Sequence, residues 1–370
     1  MLLRTAIRQV KDGHTIIVVL PEDGPLKQRL EDAGVQTEII KYDPTIRKRM
    51  FKSIKLFSIF MRDMVCTLFV YPKLIKKYHV NIIHSNSSQT MTGGYISKIC
   101  KIPHIYHVRE SYAGFGLLGK LYKKYLLNSS DGIVCVSQAM ADQFPVKELN
   151  RKVVVVHDGF YKEEFTKVPD SQIQSFREKY NINGYILVGL VGRIILQRKG
   201  QDVFVQSISL LKDKLKSVKF LIVGACFPGN EYHLEQLMNL IKELDVGKNV
   251  ILTGELLDMG VVYSSLDISV MASATPEPFG GVTIESMAYG KPVIGTNIGG
   301  TPEQIDDDVT GILIPPNDPV AMADAIESLV NNPEKRKEMG KASQNKFEQE
   351  FTFDPYYQEL NNSYNLFLSI

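Results

Sequence analysis

The chain has 370 residues, 44% hydrophobic and 23% charged, the make-up of a soluble globular protein long enough for two domains of ordinary size. Its four cysteines, Cys66, Cys100, Cys135 and Cys226, are far apart, which excludes a disulfide framework or a cysteine-type metal centre and predicts a reducing, cytoplasmic setting. The net charge of +2 conceals an asymmetry: residues 1–170 carry 26 basic against 16 acidic side chains, and residues 171–370 carry 17 against 25. A basic half beside an acidic half predicts two domains with different partners.

The first residues, MLLRTAIRQVKDGH, read as an amphipathic helix with charges throughout and not as a secretory leader. Strand candidates follow at His14–Pro21, Gln36–Tyr42, Val80–Ser85, His104–Val108, Gly132–Val136 and Lys152–His157, with helical patterns between them. A second series lies at Tyr185–Val191, Val218–Val223, Val250–Thr253, Ile268–Met271, Pro292–Gly295 and Gly311–Ile314. These runs are rich in Val and Ile and lack two-residue alternation, as strands of a helix-covered parallel sheet do. Two successive arrays of this kind predict an α/β protein of two doubly wound, Rossmann-like domains facing each other across a cleft. The expected bounds are 1–163, 164–352 and a final helix, 353–370, that crosses back to the first domain. A domain of this type opens with a strand and a glycine-rich turn; the first helix here starts at Met1 or Leu2, so the first domain is expected to lack its opening element.

The segment 45–79 carries nine Lys or Arg against one acid, Asp63, interleaved with Phe51, Leu56, Phe57, Ile59, Phe60, Leu68 and Phe69. Arg62 and Asp63 interrupt it, so it is no transmembrane span. Two readings stand level: a core-packed helix with a solvated basic face, or a helix lying on an anionic membrane surface. Nucleic acid is not an expected partner, because the basic residues lack the motifs for it.

The most informative stretch is PEPFGGVTIESMAYGKPVIGTNIGGTP, Pro276 to Pro302. Gly280 and Gly281 lack a Cβ, so backbone there can come close to a ligand. A helix beginning at that turn aims unpaired N–H groups and its positive dipole end at the same place, an anion site suited to phosphate. Glu277 lies before the turn and Glu285 about one helical turn in, so both can face one bound molecule. Arg193 follows a strand and Lys199 precedes a helix; together they could neutralise a diphosphate without a metal. In the other half, His107-Val108-Arg109-Glu110 follows a strand, with Glu110 expected to pair with Arg109. His84 also ends a strand, and His157 and Asp158 are expected to shape the turn between domains. Asp306-Asp307-Asp308 reads as a solvated turn.

The segments GRIILQRKGQDV, EPFGGVTIE, GKPVIGTNIGGTPE, TGILIPPND, HVRE and VSQAM resemble the large retaining glycosyltransferase family 4, whose fold is called GT-B, over nearly the whole chain. The resemblance implies a nucleotide-diphosphate sugar as donor substrate, no cofactor and no metal, and a glycan or lipid-linked acceptor in cell-surface polysaccharide or glycoconjugate synthesis. It implies that Arg193, Lys199, Gly280, Gly281 and Val282 hold the diphosphate and that Glu285 holds the ribose. It places Glu255, Leu256 and Leu257 at the base, Glu277 on the transferred sugar, and His107 near the reacting centre. The departure from the family is the glycine-rich turn expected after a first strand. Two alternatives are a sugar-nucleotide epimerase of the same fold, which the Glu-x₇-Glu spacing disfavours, and a non-catalytic sugar-nucleotide-binding subunit. The expected location is cytoplasmic, peripheral on the inner face of the membrane if the basic helix binds lipid.

Overall fold

The computed structural model describes residues 1–45, 53–149 and 151–368. The chain divides into two compact units, Met1–Gly159 with Asp354–Ile370, and Phe160–Phe353.

The first unit runs α1 (Leu2–Lys11), β1 (Ile17–Leu20), α2 (Pro25–Asp32), β2 (Gln36–Ile39), α3 (Ile54–Tyr78) and β3 (Ile83–Ser85). It continues with α4 (Thr92–Cys100), β4 (His104–Val108), α5 (Gly116–Ser129), β5 (Gly132–Cys135), α6 (Gln138–Ala141) and β6 (Val153–Val155). All pairings are parallel, in two separate sheets: β1 with β2, and β3-β4-β5-β6 in that order. Every residue of β4 and β5 is buried, which is why these strands read as continuous apolar runs.

The second unit holds α7 (Asp170–Lys179), β7 (Ile186–Val191), α8 (Gln201–Leu211), β8 (Val218–Val223), α9 (Tyr232–Glu243), β9 (Val250–Gly254) and α10 (Met259–Ser265). Then come β10 (Ile268–Met271), α11 (Gly281–Ala288), β11 (Val293–Thr296), α12 (Thr301–Gln304), β12 (Gly311–Ile314), α13 (Pro319–Asn331) and α14 (Pro333–Glu350). Its six strands form one parallel sheet in the order β12-β11-β10-β7-β8-β9. The core of Phe204, Ile208, Phe220, Val270, Ile294 and Ile326 is sealed between this sheet and its helices. The first strand, β7, sits in the middle, and the chain crosses over it to β10. Ligands of such sheets bind beyond the strand ends at that reversal. In the first unit no described strand joins the β1-β2 pair to the β3-β4-β5-β6 sheet.

A last helix, α15 (Phe353–Leu368), belongs to the first unit from Asp354 onward. It packs on α1 through Thr5 with Tyr356 (3.0 Å) and an ion pair of Arg8 with Asp354 (2.9 Å).

The basic segment is helical from Ile54 to Tyr78, capped by the Ser53 hydroxyl, which accepts from the Leu56 N–H. Arg47, Lys48, Arg49, Phe51 and Lys52 lie outside the described residues. Asp63 is buried and paired with Arg62 at 2.8 Å. Ile54, Phe57, Met61, Val65 and Leu68, spaced three and four apart, are all exposed. That spacing lines one face of a helix, so α3 presents an apolar stripe to solvent. Among the described residues no helix is long and apolar enough to cross a membrane.

Candidate active site

The second unit carries a pocket of about 130 Å³ at the ends of β7 and β10, lined by Lys199, Ser273, Glu277, Gly280, Gly281 and Val282 among others. Lys199 is brought there by a close backbone approach. Gly200 has φ +73°, and a Cβ on it would stand 1.9 Å from the carbonyl oxygen of Ala272. The Ala274 N–H donates to the Arg198 carbonyl at 2.9 Å, which ties the 193–200 loop to the end of β10. Lys199 Nζ then meets Glu277 Oε1 at 2.7 Å, and Ser273 donates to the same oxygen at 3.2 Å. The carboxylate is only 12% exposed. The ammonium has three donors, so the pair leaves it hydrogens for a second anion.

Glu277 is held by its backbone as well. The Gly300 N–H donates to the Glu277 carbonyl at 2.8 Å, and Gly299, with φ +66°, lies so close that a Cβ would stand 2.4 Å from that oxygen. Helix α11 begins at Gly281, and added Cβ atoms on Gly280 or Gly281 would meet nothing nearer than 3.7 Å. The space in front of the helix start is therefore open.

Glu285 accepts from the Tyr263 hydroxyl at 2.6 Å. Burial first, and then the neighbouring carboxylate, raise the Tyr263 hydroxyl far above its ordinary range, so Tyr263 stays protonated and donates. Leu256 packs in the cluster that contains Tyr263 and Val262, while Glu255 and Leu257 are exposed. Arg193 is exposed, and its guanidinium lies 4.3 Å from the Phe227 ring centroid.

The first unit holds the histidines. His107 is fully buried on β4, 5.5 Å from the His84 ring. Arg109 Nη2 lies 3.4 Å from His107 Nε2. A guanidinium only donates, so Nε2 accepts and the ring proton sits on Nδ1. Among the described residues that buried Nδ1 has no acceptor. Burial first, and then Arg109 and His84, lower the His107 pKa well below its usual value, so the ring is neutral at pH 7. His84 is hydrogen-bonded through Nδ1 to Tyr364 at 2.8 Å and is pushed down to about 3, chiefly by burial.

Two expectations change. Arg109 does not pair with the side chain of Glu110: its guanidinium bonds Asp158 at 2.6 Å, while Glu110 accepts from Ser87 and Ser88. Asp158 is therefore a partner of the His107–Arg109 group and not simply a turn residue. The aspartate run is an exposed turn, as expected, with Asp306 paired to Lys346 and Asp308 to Lys335, both at 2.6 Å. No cluster of described residues could hold a metal ion. Tyr263 and the Arg109 partnership of Asp158 escaped the sequence reading because their contacts lie 22 and 49 residues apart and follow no spacing; Ser273 lies four residues before Glu277, where a serine alone carries no signal. Gly299 lay inside the quoted motif, and a paired glycine before a short helix was the available signal.

The family description "Glycosyltransferase Family 4" matches residues 1–163, and "Glycosyl transferases group 1" matches residues 172–346. The capsular polysaccharide biosynthesis glycosyltransferase CapM of Staphylococcus aureus is 26% identical over 90% of this chain and 88% of its own length. The crystal structure of Anabaena HepE in complex with UDP superposes with a TM-score of 0.80 at 21% identity, covering 98% of this chain and 94% of that one. A glycosyltransferase from Rickettsia africae gives 0.83 at 21% identity, over 99% and 93%. These likenesses establish the two-domain GT-B architecture.

Two outcomes follow. Gly200→Ala should leave a folded protein by circular dichroism but speed hydrogen–deuterium exchange over 193–200 and 272–277, because the loop carrying Lys199 can no longer seat against Ala272. His104 is also fully buried, and burial lowers it to about 4. His84, His104 and His107 all stay neutral in the fold, whereas the unfolded chain protonates them near pH 6.5. Folding stability should therefore be full above pH 7 and fall as pH drops from about 6 toward 4, by about 4 kcal/mol per pH unit for three protons. Urea midpoints across that range check this.

Proposed function

This chain belongs to glycosyltransferase family 4, and we propose that it moves a sugar from a nucleoside-diphosphate sugar to a lipid-linked glycan, with retention of configuration and without a metal ion. The observation that carries the reading is the Lys199–Glu277 pair beside the open start of α11, with Glu285 one turn further in. Cleaving the sugar–diphosphate bond leaves extra negative charge on the diphosphate and an oxocarbenium-like sugar. Lys199, Arg193 and the N–H groups of Gly281 and Val282 stabilise the diphosphate, so this chain's own cations do the neutralising. Glu277 orients Lys199 and reaches the sugar. Glu285, set by Tyr263, accepts from the ribose hydroxyls, and the 255–257 loop flanks the base. In the first unit the neutral His107, held by Arg109, which Asp158 neutralises, keeps an Nδ1 hydrogen with no acceptor among the described residues, and that hydrogen is assigned to positioning the acceptor.

The relatives support the substrate class. CapM is named for capsular polysaccharide synthesis, and the Anabaena protein has been solved with UDP and with UDP-glucose. Uridine donors are therefore the first to test. The acceptor reading rests on α3, whose solvent-facing apolar stripe lies among Lys55, Arg62, Lys73, Lys76 and Lys77, a surface suited to an anionic bilayer.

The test uses the full chain, UDP-sugars and lipid-linked saccharides in phosphatidylglycerol vesicles, with EDTA present. Release of UDP coupled to a product with the donor's anomeric configuration, read by NMR, is expected. Lys199→Ala should lower turnover by about 10²–10³-fold. Isomerised donor without transfer, or bound donor that never releases nucleotide, would overturn the reading.

A further inference from the structure

The first unit contains a second cavity, of about 270 Å³, between the loop after β4 and helix α5; Tyr112, Phe115, Leu118, Leu121, Tyr122 and Tyr125 line it. Three tyrosines would ordinarily make such a site polar, but their hydroxyls are spent on the protein. Tyr112 donates to the Ser88 hydroxyl, Tyr122 to the Ser88 carbonyl at 2.5 Å, and Tyr125 to the Met91 carbonyl at 2.9 Å. The rings present carbon to the cavity, so its lining matches hydrocarbon and not a sugar. The volume lies just below the usual range for a whole ligand, which suits a segment of a chain.

The surroundings match an anionic headgroup. Leu117 and Leu121, both exposed, are four apart and form a ridge on α5. Lys120 and Lys124, also four apart and exposed, form a parallel row on one side of that ridge, and Leu118, Tyr122 and Tyr125 lie on the other. Residues 111–130 hold no acidic side chain. The cavity also reaches Glu110, three residues beyond His107, at the carboxyl end of β4.

We propose that this cavity binds the hydrocarbon chain of the lipid-linked acceptor, with its phosphate over Lys120 and Lys124. The assignment rests on the glycosyl-transfer reading for the word acceptor; the hydrocarbon site itself does not.

The probe is a prenyl phosphate carrying a diazirine on its chain, irradiated with the full protein and mapped by peptide mass spectrometry. Wild type should label within 112–125. Leu118→Asp and Leu121→Asp alter exposed side chains and should fold, as melting checks; each should label at least tenfold less. Val146→Asp, an exposed site elsewhere on the unit, should label as wild type. Labelling elsewhere, no labelling, or labelling undiminished in both variants would overturn the site. Competition by phosphatidylglycerol equal to that by unlabelled prenyl phosphate would overturn the acceptor as its source. The UDP-induced melting shift, read on the same samples, tests the donor reading separately.

Discussion

The contact on which the pocket of the second unit depends is the 2.7 Å pair of Lys199 with Glu277. It is mostly withdrawn from water, so neither charge could stay there alone without a large desolvation penalty. Each partner needs its own backbone device to arrive. Lys199 comes from a loop that touches the Ala272 carbonyl, which only a glycine at 200 permits. Glu277 comes from a turn clasped by Gly299 and Gly300. Both loops hang from the ends of β7 and β10, the strands where the chain reverses direction across the sheet. The fold thus brings together a cation, a carboxylate and a helix start that are up to 82 positions apart in sequence.

The first unit follows a different logic. His107 is kept neutral by burial beside a cation, and that cation is in turn neutralised by Asp158. A neutral imidazole with its hydrogen on Nδ1 is a hydrogen-bond donor without being a charge. In the same unit α3 and α5 each expose apolar side chains beside basic ones.

Much of this was legible in the sequence, for definite physical reasons. Buried parallel strands announce themselves as Val- and Ile-rich runs, and β7, β8, β10 and β11 each lie within a residue or so of where those runs fall. The Gly280–Glu285 stretch was readable because a glycine turn before a helix has one common use. Pairings across the fold were not readable. Arg109 has an acid next to it in sequence yet chooses one 49 residues away, because Glu110 is turned toward Ser87 and Ser88. The apolar content of α3 was visible, but whether its stripe faced the core or the solvent was not, since both need the same spacing. The tyrosine-lined cavity was invisible, because it depends on where three hydroxyls point.

The most direct test of the central claim, that the α11 start and the Lys199 loop hold the donor diphosphate, is hydrogen–deuterium exchange with and without UDP. The account predicts slowed exchange in peptides covering 193–200 and 277–285, with β1 and β2 unchanged. Slowed exchange confined to other segments, with those two unaltered, would contradict it.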